Sequence, residues 1–136
     1  MTYQRFTEKA RRVVFFARYE ASQRHHPTIT VEDMVLATLR ETTTVLRDQY
    51  EKITNPFDLL DQIRATLPVS DIDHGIELPL SPEAKRGIEE ANRVSEIHVT
   101  PWLLFWVIYP SINPQVVGIL EAHGITRDSL TEKKLV

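Results

Sequence analysis

The chain has 136 residues, 42% of them hydrophobic and 26% charged, with a formal net charge of −3. That balance suits one ordinary soluble domain, or two small halves sharing a core. The absence of cysteine removes disulfides, thiolate zinc sites and a Cys nucleophile together, and the net charge provides no global basic field for nucleic acid.

The N-terminal stretch MTYQRFTEKARRVV is charged from its first turns and has no signal-peptide apolar region, which points to a cytoplasmic protein. Residues 6–24 read as an amphipathic helix. Phe6, Ala10, Val13, Val14, Ala17 and Ala21 recur at helical spacing, while Arg11, Arg12, Arg18 and Glu20 occupy the other face. Thr7 is the expected N-cap, and HHPT at 25–28 ends the helix. A second helix is expected over 30–41, opened by a capping box between Thr30 and Asp33, with Met34, Val35, Leu36 and Leu39 as its apolar side. The three threonines at 42–44 offer caps for a short helix over Val45–Ile53. Asn55 and Pro56 start a fourth, ending near Leu67.

Residues 68–79, PVSDIDHGIELP, read as a linker rich in Pro and acidic residues. Ser81 then caps a helix with Pro82 at its first position, and Thr100 with Pro101 does the same for PWLLFWVIY. The apolar run from Val99 to Tyr109 is interrupted by Thr100 and Pro101. It is little more than half the ~20 residues a spanning helix needs, so no membrane segment is expected. A further helix, 113–124, closes on Gly124, and a last short one covers 126–134.

Four helices, a linker and four helices suggest a duplication. FTEKARRVVFFARYEA laid over LSPEAKRGIEEANRVS matches Ala10 with Ala84, Arg12 with Arg86 and Ala17 with Ala91. ITVEDMVLATL laid over IHVTPWLLFWV matches Ile29 with Ile97, Val31 with Val99 and Leu36 with Leu104. The expected architecture is therefore all-α, a pseudo-twofold pair of four-helix repeats. Repeat one spans about 5–67, the linker 68–79 and repeat two about 80–135.

The stretches RFTEKARRVV and H..I..ED.VLA.L resemble the N-terminal domain of the Clp/Hsp100 AAA+ unfoldases, most nearly the ClpC type, and LSPEAK is similar to the start of that family's second repeat. The resemblance spans the whole chain. It implies a non-catalytic domain that docks substrate proteins or adaptors ahead of an unfoldase. In ClpC-type members it also implies a pocket for phosphoarginine. The positions of this chain that match the pocket motif are Arg5 and Thr7, for the phosphate, and Glu32, for the guanidinium. Such a division is chemically reasonable, since a helix start and an Arg attract phosphate and a carboxylate pairs with guanidinium. In the second repeat Ser81 keeps the hydroxyl, while Pro79 and Thr100 replace the two charges.

No G-x-x-x-x-G-K-[ST] motif is present, so the chain as given is not the ATPase. It reads as an excised domain or, since it begins at Met1, as a stand-alone regulator or decoy that binds a partner protein without an attached ATPase. His25, His26, His74, His98 and His123 show no metal-ligand spacing, Ser81 lacks a nucleophile elbow, and no cofactor or enzymatic activity is expected. Lys9, Arg11, Arg12 and Arg18 read as a solvated helix face. Trp102, Phe105 and Trp106 either fill the core or line an apolar groove for a partner.

Overall fold

The computed structural model describes residues 2–133, the side chain of Lys133 excepted. The extension of the final helix to Lys134 and of the second repeat to about 135 therefore lies partly outside the described residues. The named elements are helices: α1 (Glu8–Gln23), α2 (Val31–Glu41), α3 (Thr43–Gln49), α4 (Pro56–Arg64), α5 (Pro82–Val94), α6 (Pro101–Ile108), α7 (Pro114–Ala122) and α8 (Arg127–Lys133). A 3-10 turn, Tyr109–Ser111, follows α6.

Side-chain caps set most of the helix starts. The hydroxyls of Thr7, Ser81 and Thr100, and the amide oxygens of Asn55 and Asn113, each accept a hydrogen bond from the first turn of their own helix. The Thr30–Asp33 capping box is present in both directions. Helix α3 is the exception. Thr42 occupies its N-cap without a side-chain bond, because its hydroxyl donates back to the Thr38 carbonyl at 2.7 Å. The helix begins at Thr43 and ends at Gln49, earlier at both ends than the sequence pattern predicts.

Helices α1 and α7 end alike. His26 N–H reaches Ala21 O while His25 N–H reaches Ser22 O, and Ile125 and Gly124 repeat the arrangement on Leu120 and Glu121. The residue in the left-handed conformation is Gly124 (φ 82°) in one case and His25 (φ 55°) in the other. A Cβ in that region carries a steric penalty, which His tolerates better than bulkier side chains.

Helix α2 is buried nearly all round, with Met34, Val35, Leu36, Ala37 and Leu39 inaccessible. It packs against α1, α4 and α6, while α6 packs against α5 and α8. The two halves are tied by exchanged backbone pairs. Thr7 N–H donates to Val99 O, and Val99 N–H donates to Arg5 O. In the mirrored position Ser81 N–H donates to Ile29 O, and Ile29 N–H donates to Pro79 O. Each pair forms an isolated parallel bridge, Phe6 with Val99 and Leu80 with Ile29. The segment leading into the first helix of each half is thus paired with the segment leading into the second helix of the other.

These equivalent bonds correct the register of the second half. Ile29 corresponds to Val99 and Thr30 to Thr100, so Glu32 falls opposite Trp102, Val35 opposite Phe105 and Leu36 opposite Trp106. The shift of two residues arises because the shorter first connection lies before the Thr100 cap. The chance coincidence of Ile29 with Ile97 and Val31 with Val99 conceals it.

Another departure lies on α1. Glu20 is not on the solvent face but 2% exposed, held by Arg24 Nη2 at 2.5 Å and Arg64 Nη2 at 2.6 Å. Arg24 also lies 3.8 Å from Asp33, which is fully buried. The Asp33 Oδ2 accepts from Thr30 N–H, from the Thr30 hydroxyl and from His26 Nδ1, and His26 Nε2 faces Pro68 O at 2.8 Å. One network of charges therefore joins α1, α2, α4 and the start of the linker. The Glu20 carboxyl stays below the ordinary range although its burial pushes upward, because Arg64 and Arg24 hold the charged form.

Candidate functional site

The three charged or hydroxylic residues singled out in the sequence do not share one cleft. Arg5 turns to the far end of α5, where Nη1 donates to Ser95 O at 3.0 Å and Nη2 donates to Asn92 O. Its guanidinium caps the C-terminal carbonyls of that helix, where a cation is favoured. Thr7 caps α1 and lies at the bridge to Val99. Glu32 is in the other half of the exchange. Its Oε2 accepts the Asn113 backbone N–H at 3.0 Å, linking the start of α2 to the cap of α7.

Glu32 lines a cleft of about 350 Å³ with Thr28, Thr30, Ser81, Pro82, Glu83 and Ser111. The first turn of α5, from the second half, is thus the helix start that faces Glu32, because Ile29 pairs with Ser81 rather than with Thr7. The Ser81 Oγ accepts Ala84 N–H at 3.1 Å, leaving its own proton free to donate into the cleft. Glu32 Oε1 makes no hydrogen bond to any described residue. Glu83 adds a second carboxylate, only loosely paired with Arg86 at 3.7 Å and solvated. Lys85 stands on the next turn of α5 and is exposed. The cleft brings together two carboxylates, a hydroxyl and a helix start. A planar guanidinium suits the carboxylates, and an attached anion suits the remainder.

On the opposite side of the exchange, Trp102 stands where Glu32 would correspond. No second carboxylate site is built there, by a different substitution from the Thr100 expected. The apolar groove is not formed by the aromatic helix either. Trp102 is 4% exposed and Phe105 0%, and their rings stack at 5.8 Å between centroids, with Phe105 stacked in turn on Tyr109. Both fill the core. Trp106 is half-buried and covered by Arg127, whose guanidinium lies 3.9 Å from the ring centroid and whose Nε donates to Trp106 O. The Trp102 indole N–H is buried without a hydrogen-bond partner. Among the described residues, no cluster of three or more His, Asp or Glu is placed to hold a metal, and no helix is long and apolar enough to cross a membrane.

The fold is an all-helical domain of two interlocked halves, with a carboxylate cleft built across them. The chain belongs to the family described as Clp repeat (R) N-terminal domain, whose model matches residues 5–98. Among solved structures, the N-terminal domain of the chaperone ClpD from Arabidopsis thaliana is 17% identical, with a TM-score of 0.73 over 98% of this chain and 94% of that one. The Hsp104 N-terminal domain from Candida albicans is 14% identical, with a TM-score of 0.72 over 96% of this chain and 89% of that one. A chain from a structural study of a malarial protein secretion system is 15% identical, with a TM-score of 0.67 over 94% of this chain and 90% of that one. At such identities the likeness is one of fold. No match was found among curated protein sequences.

Proposed function

We propose that this domain recognises proteins for a Clp-type unfoldase, and that the Glu32 cleft is where it grips them. The reading rests on one observation: Glu32 and the start of α5 come from different halves yet face each other across a cleft of side-chain size. Family membership supports a protein-interaction role in Clp/Hsp100 systems rather than catalysis. The ligand chemistry is a guanidinium held by Glu32 and Glu83. Where the arginine is phosphorylated, the phosphate would be received by the Ser81 hydroxyl, with Lys85 one turn away. Arg5 and Thr7 have no part in this reading, which their bonds at the other bridge support. A partner of this kind is a substrate protein or an adaptor, presented in the cytoplasm. The same cleft would serve a stand-alone regulator equally well.

The test compares three peptides identical but for one residue: arginine, phosphoarginine or citrulline. Each is titrated into isotope-labelled protein while the amides of Glu32, Asn113, Ser81 and Glu83 are followed. Arginine and phosphoarginine peptides should shift these amides and the citrulline peptide should not. Glu32→Gln keeps an acceptor for Asn113 N–H and should weaken binding about tenfold or more, ~1.4 kcal/mol, without unfolding the domain. Equal shifts from all three peptides, or none at millimolar concentration, would remove the cleft from the proposal.

A further inference from the structure

The outer face of α1 carries large apolar side chains that nothing in the described structure covers. Phe15 is 63% exposed and Tyr19 47% exposed. On a helix, the neighbours of Phe15 are the residues three and four away, here Arg11, Arg12, Arg18 and Tyr19. Phe15 therefore projects from a ring of three guanidinium groups and one phenol. Arg40, from the end of α2, extends the patch, lying 4.3 Å from the Phe16 ring centroid and 5.7 Å from that of Tyr19.

The charges of this patch are mostly unanswered. Arg12 is paired, with Glu8 at 3.3 Å and Glu41 at 2.6 Å. The others meet no carboxylate among the described residues. Arg11 spends its donors on the carbonyls of Tyr3 and Gln4, Arg40 has only its aromatic contacts, and the Arg18 Nε is buried without a hydrogen-bond partner. Arg11 and Arg18 line one cleft of about 290 Å³ whose other walls are Tyr3, Val14 and Phe15. Arg18, whose Nε finds no hydrogen-bond partner, thus lines a cleft with apolar walls, in a chain whose net charge is −3. That sign makes the local excess of cations a property of this face and not of the molecule.

We propose that this face is a second docking surface, for a segment of a partner protein in which Asp or Glu alternates with bulky aliphatic side chains. The carboxylates would answer Arg18, Arg11 and Arg40, and the aliphatic groups would cover Phe15 and Tyr19. Arginine and aromatic residues are the types that dominate binding energy at protein interfaces, and complementary charge fixes the register of the bound segment. The surface lies apart from the cleft at Glu32, whose carboxylates select a guanidinium group. The two sites therefore select different groups, and the failure of one leaves the other standing.

The experiment uses the full chain and three short peptides: one alternating Glu with Leu and Ile, one with Lys in place of Glu, and one with Ser in place of Leu and Ile. Amide shifts should appear at Phe15, Arg18, Tyr19 and Arg40 with the first peptide alone, and the amides of Glu32 and Ser81 should stay still. Phe15→Ala and the double variant Arg18→Glu, Arg40→Glu should each weaken binding about tenfold or more. Their melting temperatures should hold within a few degrees, since Phe15 and Arg40 are exposed and the partly buried Arg18 meets no carboxylate among the described residues, which separates lost docking from lost folding. Three results would overturn the proposal: no shift with the acidic aliphatic peptide, an equal shift with the Ser peptide, or the same amides responding instead to single-stranded DNA. Concentration-dependent self-association abolished by Phe15→Ala, without a peptide response, would also overturn it by assigning the face to a second copy.

Discussion

Gly87 sits in the seam between α5 and α6, and its substitution tests how tightly the second half is built. A Cβ at this position would lie 2.5 Å from Ile108 Cγ2, well inside contact distance. Ile108 is 1% exposed, and its Cγ2 is attached directly to the branched Cβ, so the methyl cannot swing aside without moving the backbone or the rotamer. Two effects oppose each other. Ala is favoured over Gly inside a helix by about 1 kcal/mol. Forcing an extra methyl into a packed core costs about 1–3 kcal/mol. With no room to relax, the second should lie in the upper part of its range and prevail, and Gly87→Ala is expected to destabilise by about 1–2 kcal/mol, or ~3–7 °C in melting temperature for a chain of this size. Urea unfolding and thermal melts would measure it. Ile108→Ala creates a cavity by itself, so Gly87→Ala added to it should cost less than it does alone, or even recover stability. A more stable Gly87→Ala, or strict additivity of the two changes, would refute the proposed packing of this seam. The position also bears on the cleft, because the seam holds α5, whose first turn faces Glu32.

The buried charges give two further expectations. His26 is held by acceptors at both ring nitrogens, and its pKa is raised chiefly by the Asp33 carboxylate, with Pro68 O adding to it against burial and the Arg24 charge. A raised pKa means the stabilisation is complete below the unfolded value near 6.5 and fades as pH rises through the folded value. Urea midpoints should therefore fall from mildly acid to alkaline pH, and His26→Gln should flatten that slope; an unchanged slope would show that His26 is not its source. Glu20→Ala leaves Arg24, 8% exposed, with the residue-20 carbonyl and only the more distant Asp33 as carboxylate, and should destabilise by about 3–5 kcal/mol. Replacing Glu20 and Arg24 together by Met should recover much of that loss, and a double variant as unstable as the single one would argue that the pair contributes more than it costs in desolvation.

Most of the helix starts were legible because each is written in adjacent residues: a hydroxyl or amide side chain, often followed by Pro. Thr42 misleads because three threonines in a row leave the choice of cap open, and its hydroxyl finds a nearer acceptor in Thr38 O. The candidate site was legible only in part. Glu32 and Ser81 could each be marked from the sequence, but their meeting depends on which half pairs with which, and local pattern carries no trace of that. Nor does it show that Arg5 is engaged at the end of α5. Glu20 was misplaced for a similar reason. A carboxylate followed four residues later by Arg24 looks like a surface pair, and only Arg64, 44 residues away, makes it a buried one. The arginines of α1 read from sequence as a solvated face, and only the exposure of Phe15 and Tyr19 among them turns that face into a candidate surface.

The exchanged backbone pairs also dictate an order of events during synthesis. Residues 5–7 find their partner only when Val99 has been made, and Ile29 must wait for the segment 79–81. A chain leaving the ribosome with only its first four helices could pack α2 against α1 and α4, but the side of α2 that meets α5 and α6 would be uncovered. Contacts of such long sequence separation form late. The second half therefore completes the burial of α2, and until it is made the uncovered side of α2 is the surface a nascent-chain chaperone would meet.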